Sequence, residues 1–117
     1  MQTRLRSMCA LSMLALAGCG ATAAAVLPSP RAAAVKISKA EPAENCSEIG
    51  PIEGIHGSGC GSFGRAGTYE GAYTTLKNNA AEKRANFVRI DQQIPPHSEN
   101  GCFDQRFVMR GVAFSCK

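Results

Sequence analysis

The chain has 117 residues, six Cys, twelve Gly, no Trp and a formal net charge of +4. That length allows one small domain with a modest core. Its cations are scattered, with no run longer than Lys83-Arg84, which argues against a nucleic-acid face and for a solvated surface.

Residues 1–6 carry Arg4 and Arg6 and no acid, and residues 8–17 form an apolar run of signal-peptide length. The run ends in Leu16-Ala17-Gly18-Cys19, which resembles the lipobox of bacterial lipoproteins. Small residues before the cut admit an extended backbone to a peptidase, and the Cys supplies a thiol for a diacylglyceryl thioether. The expectation is a leader over residues 1–18, cleaved before a lipidated Cys19. Loss of Arg4 and Arg6 leaves a mature charge of about +2. An uncleaved membrane helix over residues 8–27 is the competing reading, but its second half, rich in Gly and Ala, is weakly hydrophobic. Resemblance to the lipoprotein class implies three acyl chains, more than the two signals that stable anchoring needs. Gly20, where an Asp would signal retention at the inner membrane, implies the outer membrane.

Residues 19–44 contain Pro28, Pro30 and Pro42 among many Ala and show no periodic apolar face. They read as a lipid-anchored Pro/Ala-rich tether, spanning roughly 28 Å if flexible and about 75 Å if extended. A short Ala-nucleated helix over residues 31–39 is the alternative.

Residues 45–117 read as the folded part. A first strand is expected over 46–55 with Ile49, Ile52 and Ile55, and Pro51 there must face outward or sit at a bulge. A Gly-rich loop, 56–67, leads to Thr68 as N-cap with Glu70 in the first turn. The helix runs from Tyr69 to about Arg84, burying Ala72, Tyr73, Leu76 and Ala80. Strands follow over 86–91 and 106–116, separated by a polar loop over 97–105. The fold class is α+β: a small three-stranded β-α-β-β sheet with one covering helix, stapled by two disulfides.

Cys9 lies in the leader and Cys19 takes lipid, which leaves Cys46, Cys60, Cys102 and Cys116. Three pairings are open. Cys46 to Cys60 and Cys102 to Cys116 each span fourteen positions, so two strands can be bridged at both ends. A helical crossover makes the second strand parallel to the first, and a turn reverses the third. Antiparallel pairing of the first and last strands then joins Cys46 to Cys116 and Cys60 to Cys102. Redox exchange would favour Cys-X-X-Cys, and zinc would favour short paired spacings with His. Neither occurs, and His56 and His97 stand apart.

Gly59-Cys60-Gly61-Ser62-Phe63-Gly64 matches a dinucleotide fingerprint literally. The helix starts too late to present its N-terminus to a pyrophosphate, and no acidic residue closes a second strand at the needed distance. His56 beside Ser58 lacks a third orienting group. No enzyme activity, cofactor, metal or small-molecule substrate is expected.

Asn45-Cys46-Ser-Glu-Ile-Gly50, Ala80-Ala81-Glu82 with Ala85-Asn86-Phe87-Val88, Gly101-Cys102, and Met109-Arg110-Gly111-Val112-Ala113 with Cys116 carry a family resemblance. Over residues 45–117 the chain resembles small RcsF-like bacterial lipoproteins, related to an outer-membrane sensor of envelope stress. The resemblance implies a protein-binding or stress-sensing module, and Cys60 with Cys102 as a sensor disulfide. Relatives commonly have Leu-Gly where Lys83-Arg84 stand here, so either Arg84 adopts a left-handed turn or the turn shifts to Asn86. The expected function is an anchored envelope lipoprotein that docks another envelope protein. A basic face around Arg65, Lys77, Arg89, Arg106 and Arg110 would serve that role. A structural surface lipoprotein without signalling and a periplasmic metal-binding protein are the alternatives.

Overall fold

A computed structural model describes residues 21–61 and 64–117; the expected leader and Cys19 lie outside them. The elements are β1 (Lys36–Ser38), β2 (Cys46–His56), α1 (Tyr69–Glu82), β3 (Phe87–Ile94), β4 (His97–Glu99), β5 (Cys102–Asp104) and β6 (Phe107–Cys116). The main sheet has the order β1-β3-β6-β2, and β4-β5 form a separate two-stranded ribbon. β6 lies antiparallel to both β2 and β3, and β1 runs parallel to β3. β2 and β3 therefore point the same way, as a helical crossover between them requires.

The helix starts where the local chemistry favours it. Thr68 Oγ1 accepts from Gly71 N at 3.0 Å, with Glu70 in the first turn. Ala72, Leu76 and Ala80 repeat every four residues and are all buried. They pack against Ile52, Val88, Met109 and Ala113 on the inner sheet face. Few large side chains are available, so close approach substitutes for bulk. At Gly54 an added Cβ would fall 2.6 Å from Leu76 N, which places the helix backbone almost directly on the strand. Past the helix end Arg84 takes the left-handed turn, with φ 59°, so the turn does not shift to Asn86.

β2 is an edge strand, where the missing N–H of Pro51 is tolerated. The register shifts between Glu48 and Gly50, and Gly50 takes φ 145°, which favours glycine. Asn79 and Lys83 donate to the carbonyls of Glu53 (2.7 Å) and Pro51 (3.5 Å), covering part of the strand's outer edge.

Several expectations need correction. The boundary between tether and domain does not fall at Asn45. Ala32 and Val35 are buried, and Lys36–Ser38 pair with Phe87–Arg89 in the sheet. Val35 belongs to the core cluster and Ile37 packs against it, so this stretch completes the core instead of hanging from it. The alternative helix over residues 31–39 is reduced to one 3-10 turn, Ala32–Ala34. The main sheet accordingly has four strands. The expected polar loop over 97–105 contains the β4-β5 ribbon, turned by Asn100 (φ 50°) and Gly101 (φ 75°).

Candidate functional site

One end of the sheet gathers the C-terminus of β2, the N-terminus of α1, the β4-β5 ribbon and the start of β6. Cys60, in the loop after β2, is bonded to Cys102 at the start of β5. Gly67 N donates to Gln105 O at 2.7 Å, so the loop is also tied to the entry of β6. At the opposite end the second disulfide, Cys46–Cys116, joins directly paired residues. Lys117 N donates to Asn45 O at 3.2 Å beyond it.

His56 closes β2 facing inward, two residues on from Gly54, and only 7% of its surface is exposed. Its Nδ1 accepts from Thr68 N at 2.9 Å, and Nε2 lies 2.7 Å from Ala24 O. Acceptance at Nδ1 selects the neutral tautomer whose Nε2–H donates to that carbonyl. The ring lies where a Cβ on Gly71 would stand. With both ring nitrogens hydrogen-bonded to backbone, His56 clamps two chain segments together. Ser58 Oγ accepts from Arg65 N at 3.1 Å, a bond within the loop after β2.

The clamp holds the segment before the core. Ala66 N donates to Ala21 O at 3.0 Å, and Ala23 N to Ala66 O at 2.9 Å. Further on, Asn78 of α1 donates to Leu27 O (2.9 Å) and accepts from Ser29 N (2.8 Å). A cleft of about 290 Å³ lies between this segment and the helix start, lined by Thr22, Val26, His56, Glu70 and Thr74 among others.

At the ribbon, Arg106 grips Asp104 through Nη2 at 2.7 Å and Nε at 3.0 Å, and its backbone N also donates to Asp104 at 3.0 Å. These bonds favour the carboxylate and hold its pKa down to about 2. His97, across the ribbon from Asp104, is pushed above its ordinary pKa, first by the Pro95 carbonyl and then by Glu99.

The sheet face away from the helix carries Ile55, Val108 and Ile94 in register, then Glu53, Arg110 and Gln92, then Pro51, Val112 and Arg89. Arg110 Nε bonds Glu53 at 2.7 Å, and Arg89 reaches Asp91 (2.9 Å) and Glu41 (3.0 Å). Arg89 also lies over the Phe114 ring, 5.8 Å from its centre. Lys77 lies on the helix, 5.6 Å from the Tyr73 ring centre. Arg65 and Arg106 belong to the Cys60–Cys102 end. The five cations expected to form one basic face are therefore spread over three surfaces, and three of them are paired with carboxylates.

Of the expected site residues, the structure bonds Cys46 to Cys116 and Cys60 to Cys102, which leaves none of these four thiols free for a metal. Cys19 lies outside the described residues. Sequence reasoning missed the role of His56, although alternation with Ile52 and Gly54 puts it on the inner face. It also missed the ribbon, for which Asn100-Gly101 is a direct signal. Nothing local in residues 21–29 announces their partners, which lie tens of positions away.

A family model described as "Domain of unknown function (DUF4156)" matches residues 26–116. No curated protein matches the chain. The matched span opens well before Asn45, as the buried Ala32 and Val35 require, and ends at Cys116. The chain belongs to the DUF4156 family.

Proposed function

We propose that this protein is a bacterial envelope lipoprotein, anchored through Cys19, that docks another envelope protein on the helix-free face of its sheet. One observation carries the reading: the helix packs on a single face. The other face presents Ile55, Ile94 and Val112, with Val108 in the same row buried, beside cations already neutralised by carboxylates. Apolar surface interleaved with satisfied charge suits a protein partner better than a polyanion. The N-terminal motif supports export and lipidation, and two disulfides suit an oxidising compartment. Among the described residues no helix is long and apolar enough to cross a membrane. Stress sensing at the outer membrane is the particular form implied by the RcsF-like resemblance.

The test is photo-crosslinking of the full chain in cells that make it. A photoreactive residue at Pro51 or Ile55 on the sheet face is expected to give one discrete protein adduct, and one at Lys77 on the helix none. No adduct from either sheet position would leave the structural alternative in possession. Equal adducts from all positions would also sink the docking reading.

A further inference from the structure

A lipoprotein domain on a free tether can stand at any height and orientation above its membrane. The chain here does not leave that freedom. The first described residue, Ala21, is already held by Ala66 N, followed by Ala23 on Ala66 O and Ala24 on the buried His56. Only Gly20 separates it from Cys19. Two residues of chain reach about 7 Å at full extension.

Resting on the reading of Cys19 as the lipid site, we propose that the domain sits directly on the bilayer, with its Cys60–Cys102 end against the headgroups. That end is where Ala21 is sewn in, so the short link decides which surface meets lipid. The surface offered there is suitable. Phe103 on the ribbon is 51% exposed and Tyr69 at the helix start is 47% exposed, and aromatic side chains are at home in an interface with one apolar and one wet side. Charge does not select this face: Arg65 and Arg106 are offset by Asp104, Glu99 and Glu70. Seating is therefore expected for zwitterionic as well as anionic lipid. The ten residues of β6 carry the Cys46–Cys116 end about 30 Å farther out, and the helix-free sheet face then stands beside the membrane, open to a partner alongside.

The chain has no Trp, so single Trp reporters are clean. The full lipidated protein, as Phe103→Trp, Tyr69→Trp or Lys117→Trp, is reconstituted in phosphatidylethanolamine and phosphatidylglycerol vesicles doped with a headgroup-nitroxide phosphatidylcholine. Quenching several-fold stronger at positions 103 and 69 than at 117 is expected. Inserting a long Gly/Ser spacer between Gly20 and Ala21 should abolish the difference. Equal quenching at all three positions, or a difference that survives the spacer, overturns the seating while leaving lipidation intact. A mature mass without lipid on Cys19 overturns both, and the mass spectrum tells the two failures apart.

Discussion

Asp104 and Arg106 stand two residues apart at the turn into β6, and their side chains meet because that turn folds the chain back on itself. A carboxyl held at about 2 instead of its ordinary 3.8 favours the folded state at every pH above the ordinary value. That contribution disappears as pH falls from there through the lowered one. Asp104→Asn removes it, so urea midpoints measured from about pH 5 down to about pH 2 should fall less steeply for the variant than for the natural chain. Identical slopes would show that the pair contributes nothing to acid stability. His97 has the opposite sign. Its raised value favours folding below the ordinary imidazole range, and this is lost as pH rises through the raised value. His56 shows how one residue can be half legible: its inward direction follows from alternation along β2, whereas its partners Ala24 and Thr68 are set by folding.

At the scale of elements, α1 was readable from end to end. Thr68 caps it, the Ala72-Leu76-Ala80 stripe buries it, and Arg84 ends it where a glycine would be easier. A left-handed arginine costs about 1–2 kcal/mol of local strain, part of which glycine returns through its extra freedom in the unfolded chain. Arg84→Gly is therefore expected to raise stability by about 0.5–1 kcal/mol in urea unfolding. A loss would mean that the arginine side chain stabilises the fold through contacts of its own. The strand directions were equally readable, because a crossover helix and a reversing turn leave few arrangements, and the disulfide pairing follows from them. β1 was not, and the ribbon showed only in its Asn100-Gly101 turn. Three-residue strands carry too little alternation to stand out against loops, and β1 exists only because β3 offers it an edge.

For the molecule as a whole, the decisive fact is that the folded unit extends back through β1 to the 3-10 turn and draws residues 21–29 along the helix. Burying one Val is worth roughly 1.5–3 kcal/mol. A chain beginning at Asn45, with both disulfides intact, loses Ala32, Val35 and β1. It is expected to be less stable by at least about 2–3 kcal/mol in urea unfolding. Stability equal to that of the mature protein would restore the free tether.

Composition and spacing alone settled the α+β class, the helix with its cap and the partners of four cysteines, because each depends on local periodicity or on the few topologies open to a short chain. Only tertiary structure decided that the Pro/Ala-rich stretch belongs to the body of the domain, and that the five expected cations are spread over three surfaces and not gathered on one. The first outcome depends on backbone groups supplied from distant positions, and the second on where the sheet, the helix and the ribbon carry each cation. A segment such as residues 21–29, whose own side chains bury little, shows its place only once Ala66, His56 and Asn78 are there to hold its backbone.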